Sequence, residues 1–560
     1  NIKDNTIYAN NIDIKAEETR NIKNAIYNNG LSAFGVGVSV ILTDINTKAE
    51  GFTYDAGNNM TANVDIDSII SSLQTSLDEQ AGSLNGTEAS SALQLAGINA
   101  GDVTGKSSIN AASKIEGKAP AGVHTEVKSS KLYAGKNISV GADATTNIKA
   151  INQQGTASGV AINIAVSKTN INQNVGTTIT DSELFGTKNA APKISLGSTI
   201  GGNISNQAWQ GAIAGAELAT AYAGSWAINN NRLSIVNSKL SGSSVDLLAK
   251  DSLVNDVRTY GATIGGFNGG ALIATAISAG NNMLDLNTAT LTAGTGDISL
   301  VAERSNKVNA EAWGGALAGI SASGVVATAV DGDDTGERQS ESELIITNSK
   351  LTAAKDIDAV AQKLLDVTSV TRALNVGAIA ANGSQNDAAA TGNAILSSSG
   401  GNSFTAGENV NLAARVDKRE GAEHGLTSDM ESDNGAAIGI QISFSDVIYN
   451  TAAKVDAQQA AYQAKNLSLK AENNPDIYNR AKNVEVGGLI ATGTIGAETK
   501  VNAMTDVTAQ GMTDDSKVKD ATIKSSTNTK ETIYVSGNGG GLLDISPEAA
   551  KSVNKLFTDT

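Results

Sequence analysis

The sequence predicts an all-β solenoid carrying a small α-helical insertion, and three observations predict it. A short strand motif recurs with a period of about 55 residues. Runs with apolar residues at every second position recur between its copies. Outside residues 56–125 and 546–560 the chain never shows two consecutive helical periods, so strands follow strands.

Composition agrees. The 560 residues include 58 Gly, 4 Pro, no Cys and only 4% aromatics, with a net charge of −16. The apolar residues are mainly Ala, Val, Ile and Leu, which suit thin stacked layers better than one thick core. A paired strand cannot spare its N–H, so scarce Pro fits too. The acidic balance argues against nucleic acid and anionic lipid, because both need Lys and Arg gathered on one face. Without Cys there are no disulfides, thiolate metal sites or Cys nucleophiles. The chain opens at Asn1 without a signal peptide, which reads as a processed chain or a piece of something larger.

The motif is a polar residue, then Ile/Val/Leu, any residue, an apolar residue, any residue and a small residue. It reads NIDIKA from Asn11, NISVGA from Asn137, KISLGS from Lys193, SVDLLA from Ser244 and DISLVA from Asp297. It continues as DIDAVA from Asp356, NVNLAA from Asn409, NLSLKA from Asn466 and TIYVSG from Thr532. Successive copies are 126, 56, 51, 53, 59, 53, 57 and 66 residues apart. Upstream of many copies sits a second piece, such as KLYAGK, KLSGSS, TLTAGTG, KLTAAK and SFTAGE, read as a short strand and polar turn.

A third piece follows about 20 residues after each copy. In it Val36, Val38, Val40 and Leu42, then Val160, Ile162, Ile164 and Val166, then Ile438, Ile440, Ile442 and Phe444 alternate with other residues. This period of two predicts strands with one buried face, the apolar set pointing into the core. The charge-free stretch 312–330 occupies the same slot and reads as two Gly-interrupted strands, not a membrane span, because Gly, Ala, Ser and Thr contribute little insertion energy. Dividing each 55-residue unit into about three narrow coils gives 20 to 28 coils, a rod of roughly 100 to 130 Å at the ~4.8 Å strand spacing.

Four regions follow: first coils over 1–55, a helical hairpin over 56–125, the solenoid again over 126–545, and a short helix over 546–560. In the hairpin Asp67 caps a helix with Ile69, Ile70, Leu73 and Leu77 on one face, and Glu88 opens a second with Leu93. This element either covers a side of the rod or projects as a contact element, with Ile69, Leu73, Leu77 and Leu93 as candidate binding residues. The final helix would start at Ser546 and Pro547, with Ala549, Val553 and Leu556 on one side.

Chemistry is sparse. His124 and His424 are the two histidines, and no G-x-S-x-G elbow frames a nucleophile. The loop from Ala329 gathers Asp331, Asp333, Asp334, Glu337, Glu341 and Glu343. Asp331, Asp333 and Asp334 are a weak Ca²⁺ candidate, but the spacing is not that of an EF-hand, and a solvated acidic loop is the preferred reading. Otherwise no metal or cofactor is expected. Trp209 and Trp313 share one repeat register, which favours packing over sugar stacking.

The NISVGA-type strand followed by GVAINIAVSKTNINQNVGTTITDSEL and its relatives resembles the passenger regions of Gram-negative autotransporter and filamentous-haemagglutinin-like adhesins. It is similar, more narrowly, to leukotoxin-like filamentous adhesin repeats of anaerobic bacteria. The resemblance spans nearly the whole chain except 56–125. It implies a right-handed parallel β-helix, exported through an outer-membrane β-barrel translocator and anchored at the cell surface through a region absent from this sequence. The expected function is adhesion to host cells, matrix or other bacteria by a monomeric, non-enzymatic shaft, with self-association left open. A polysaccharide lyase or hydrolase and a leukotoxin-like cytotoxic factor are the alternatives.

Overall fold

The computed structural model describes residues 1–45, 53–54, 60–61, 111–115, 122–187, 190–332, 340–513, 516–545 and 547–559. These residues form strands without a helix, and their pairing is parallel apart from a small antiparallel bridge of Thr53–Tyr54 with Met60–Thr61. The fold is an all-β solenoid.

Register corrects the size of the coil. Asn137 pairs with Lys193, Lys193 with Ser244, Val245 with Ile298, Ile298 with Ile357 and Ile357 with Val410. Each partner lies one full repeat further along the chain. One repeat is therefore one coil, not three, and the described residues pass through nine coils. At ~4.8 Å per coil they stack to roughly 40 Å, far short of the rod expected from narrow coils. The strand reading survives; the assumption of narrow coils does not.

Each coil is instead wide and folded flat. Across coil two, Asn152 Nδ2 donates to the Val166 carbonyl at 2.9 Å and Gln154 Nε2 to Asn163 Oδ1 at 3.0 Å. In coil four Thr259 Oγ1 donates to the Ile273 carbonyl at 2.8 Å, and in coil six Ser369 Oγ to Asn386 Oδ1 at 2.7 Å. Such pairs sit symmetrically about one tip, so an outgoing limb turns there and a return limb runs back. The outgoing limb from residue 137 to 158 covers roughly 70 Å at about 3.3 Å per residue.

The tips are turned by stacked glycines. A Cβ on Gly215 would meet the Gly159 carbonyl oxygen at 2.8 Å, and one on Gly266 would meet that of Gly215 at 2.8 Å. Backbones this close favour glycine, with Ala33 and Ala378 in the same slot of coils one and six. At the opposite, blunt end each coil makes a left-handed corner: Ser129, Asp181, Asn237, Thr288 and Asn348 have φ between 46° and 55°. The next residue supplies a cap. The N–H of Asn5 donates to Ser130 Oγ at 3.2 Å, that of Ser130 to Ser182 Oγ at 3.1 Å and that of Ser182 to Ser238 Oγ at 3.0 Å. These corners lie just before the pieces read as a short strand and polar turn, and the short strands pair in register, as in Lys239–Gly242 with Thr290–Ala293.

The main core fills the blunt half. Stacked columns such as Ile138, Ile194, Val245, Ile298, Ile357 and Val410 are fully buried. Toward the tip the limbs close together, and Asn, Ser, Thr and Gln replace Ile and Leu. There several donate to the opposite limb, as Asn152 and Asn386 do, while the side chains of Gln441 and Ser443 make no hydrogen bond.

This division overturns the orientation read from alternation. Asn163 reaches Gln154 across the coil and Ser167 reaches Asn206, so the Asn163, Ala165 and Ser167 face is internal. Val160, Ile162, Ile164 and Val166 therefore lie on the opposite face of the sheet from that polar interior, where Ile162, Ile164 and Val166 are nevertheless buried, 3–7% exposed. Ile164 and Val166 pack there with Val40 in a separate cluster. The same holds in coil seven, where Gln441, Ser443 and Ser445 are buried and Ile440 is 38% exposed.

Two further expectations change. The C-terminal segment is a strand, Glu548–Asp559, paired with residues 495–506. A ready-made parallel partner satisfies its backbone, and that outweighs a weak helical period. Within 56–125 the described parts, Met60–Thr61, Ala111–Ile115 and Gly122–Lys128, are also strands, and the last two belong to the solenoid sheet. The predicted helical hairpin, with Ile69, Leu73, Leu77 and Leu93, lies outside the described residues.

Candidate functional site

The interior column that carries Ala144, Ile200 and Val416 in some coils carries Asp251, Arg304 and Lys363 in coils four to six. Asp331 faces them from the return limb of coil five. Lys363 Nζ lies 3.0 Å from Asp331 Oδ2 and Arg304 Nη2 3.4 Å from Asp331 Oδ1, while Arg304 Nη1 pairs with Asp251. Ser340 Oγ donates to Asp331 Oδ1 at 2.8 Å, and Asn229 and Asn306 donate to Asp251, each at 3.1 Å. Lys363 also donates to the carbonyls of Ser340 at 2.9 Å and Thr391 at 2.7 Å.

Two carboxylates and two cations balance in a region closed to water. Burial opposes the charge on Asp331, but Lys363 and Arg304 outweigh it and hold the carboxyl below its usual range. On Asp251 burial wins over Arg304 and pushes the carboxyl up. Burial lowers Lys363 to about 8. Asp331 is thus an internal ion-pair partner, not a Ca²⁺ ligand in a solvated loop, because its lone pairs are already engaged. Asp333 and Asp334 lie outside the described residues. Among the described residues no group of three His, Cys, Asp or Glu could hold a metal.

His424 makes half of a triad. Its Nδ1 is 2.8 Å from Asp476 Oδ1 and its ring stacks on Tyr478 with centroids 5.2 Å apart. Lys418 and Lys530 flank the same carboxylate at 3.2 and 3.6 Å. Burial raises Asp476, but hydrogen bonds from His424 and Lys418 leave it lowered overall. Among the described residues no hydroxyl is hydrogen-bonded to His424. His124 is exposed on its strand.

The outer wall carries more. Asn ladders and ion pairs link successive coils: Asn137 donates to Asn11 at 3.0 Å, Lys193 pairs with Asp246 at 2.9 Å, and Arg372 and Arg480 share Asp429 at 2.6 Å each. Exposed pairs of this kind contribute little individually but repeat along the stack. Trp209, Tyr260 and Trp313 form a second ladder, in register, with ring centroids 4.3 and 6.2 Å apart. Trp209 is 41% and Trp313 46% exposed, so the shared slot is a surface stack. The sequence reading missed Tyr260, which fills the slot between the tryptophans; the register itself is the signal that identifies it.

Two residues before the apex glycines stand Ile213, Ile264 and Leu317, with Val376 at the same level of coil six. Just beyond the apex stand Phe267, Ile320 and Ile379. All seven are exposed, Ile213 by 62% and Phe267 by 58%. The tip is thus an apolar ridge two side chains wide.

Inside the same tip, Glu217 is 6% exposed and faces Asn163; burial raises its carboxyl to about 7. A folded pKa above the unfolded value near 4.3 means that its contribution is fully present below the unfolded value and is lost as pH rises through about 7. Glu217→Gln is therefore expected to stabilise the fold at pH 8 by roughly 1–3 kcal/mol, read as a higher urea midpoint, and to leave stability unchanged at pH 4.

No family model, curated protein or solved structure matches this chain.

Proposed function

We propose that the chain is the exported, non-enzymatic passenger region of a bacterial cell-surface adhesin, attaching the cell to host cells, matrix or other bacteria. In this reading an outer-membrane β-barrel translocator delivers it, and it works outside the cell. The observation that supports it is the wall: stacked coils repeat one outward pattern of Asn ladders, ion pairs and the Trp209–Tyr260–Trp313 stack, so that weak contacts can act together.

The test is attachment by the purified chain. Beads coated with it should bind epithelial cells, immobilised matrix proteins or partner bacteria saturably, and soluble chain should compete. Trp209→Ala with Trp313→Ala should weaken binding several-fold while the β circular-dichroism signature stays. Beads that bind none of the three surfaces above an albumin control would end the reading.

A further inference from the structure

We infer that the apolar tip of coils three to six docks on a zwitterionic lipid bilayer and dips into its surface. The contact comprises the two ladders that flank the apex glycines. This deepens the attachment reading by naming a partner, and it is tested on protein-free vesicles, so that its failure leaves binding to receptors on cells separately measurable.

Charge gives the first argument. Residues 259–284 of coil four, 312–330 of coil five and 373–386 of coil six contain no Asp, Glu, Lys or Arg, although the chain carries 98 of them. In coil three the nearest charge to the apex, Glu217, points into the coil. Nothing charged has to be stripped of water when the ridge enters an interface. With no Lys or Arg there, and a net charge of −16, anionic lipid offers no attraction.

The backbone gives the second. A segment can enter lipid only if its N–H and C=O groups are satisfied within the protein. Parallel pairing runs through Gly265 and resumes at Phe267 on both neighbouring coils, so all but the apex residue is in the ladder. A loop of ordinary irregular structure would not meet this condition.

The aromatic stack gives the third. Trp209, Tyr260 and Trp313 each stand four residues before the ridge residues Ile213, Ile264 and Leu317. That is about 13 Å along a strand. It is roughly the thickness of a headgroup layer plus the first few Å of hydrocarbon. Trp and Tyr favour this level, where an apolar ring can keep a polar edge wet. Trp209 Nε1 keeps such a polar contact, with Gln207 Oε1 at 3.3 Å.

Shape decides against a second copy of the chain. The ridge is convex and two side chains wide, whereas a standard protein interface uses roughly 20–30 residues a side. Two such ridges cannot cover each other, but a fluid bilayer conforms to one. The charge-free stretch at 312–330 does not cross a membrane as a helix; in this account its midpoint touches one.

The experiment is flotation of the full chain with phosphatidylcholine vesicles. Trp emission is followed in a Trp226→Phe background, so that the signal comes from Trp209 and Trp313. The chain should float with the vesicles, and its emission should shift to the blue and be quenched by brominated lipid. Ile264→Asn with Leu317→Asn should weaken partition by at least about tenfold, since both changes remove apolar side chains from the contact. Phe267→Ser with Ile320→Ser, on the other side of the apex, is an independent second variant should the first lose its β signature. Four results would overturn the inference: no flotation, equal flotation of folded variants, flotation that requires phosphatidylserine, or a tip-dependent dimer in light scattering that the variants dissolve.

Discussion

Replacing Asp331 with asparagine is expected to destabilise coils four to six by about 3–5 kcal/mol, the usual cost of removing one partner from a buried ion pair. The side chain keeps its shape and its hydrogen bond from Ser340, but Lys363 and Arg304 lose the carboxylate that faces both. Both cations are fully buried, so water cannot take its place. The sign with pH follows from the lowered carboxyl: its contribution is present above the unfolded value near 3.9 and is lost as pH falls through the folded one. Parent and variant should therefore differ strongly at pH 7 and converge in acid. Hydrogen exchange is the suitable readout, because a solenoid can open coil by coil.

Ile298→Asp is expected to cost more than about 4 kcal/mol and to unfold its coil, because it buries a charge with no partner. Ile298 is completely buried between Val245 and Ile357 in the column at the blunt end. The contrasting change is Ile440→Asp. Although Ile440 belongs to a cleaner alternating run, it lies on the outer wall, and its loss should stay within about 1 kcal/mol. Thermal melts of the two variants separate inner from outer face directly.

The repeat was legible almost to the residue. The spacings of 56, 51, 53, 59, 53 and 57 residues between motif copies are the offsets by which the strands pair, because the same interior column is copied from coil to coil. The last copy was misplaced: NLSLKA pairs with DATIKS from Asp520, while Thr532 pairs with Tyr478 in another slot. There the apolar–polar pattern alone could not choose between two similar strands.

Other features were hidden for physical reasons. Alternation says that one face is apolar but not which face is inside. Near the tip, closely spaced limbs select Asn and Ser for the interior and leave Ile and Val outside. Coil width was hidden because the limbs run long distances without Pro or any other break that marks a corner. The internal role of Asp331 was masked by the acidic residues that follow it. A signal did exist: opposite charges, Asp251, Arg304 and Lys363, succeed one another at a single repeat position that is apolar in other coils.

The central claim, one repeat per coil, is tested most directly by disulfide trapping in a chain that has no cysteine of its own. Asp246 and Ser299 are register partners on adjacent coils. Their Cα atoms should lie about 4.8 Å apart, within the range a disulfide bridges. Asp246→Cys with Ser299→Cys should cross-link rapidly under mild oxidation. Asp246→Cys with Ile264→Cys, 18 residues apart on one limb and thus roughly 60 Å from each other, should not. Cross-linking of the second pair but not the first would contradict the account and restore coils of about one third the size.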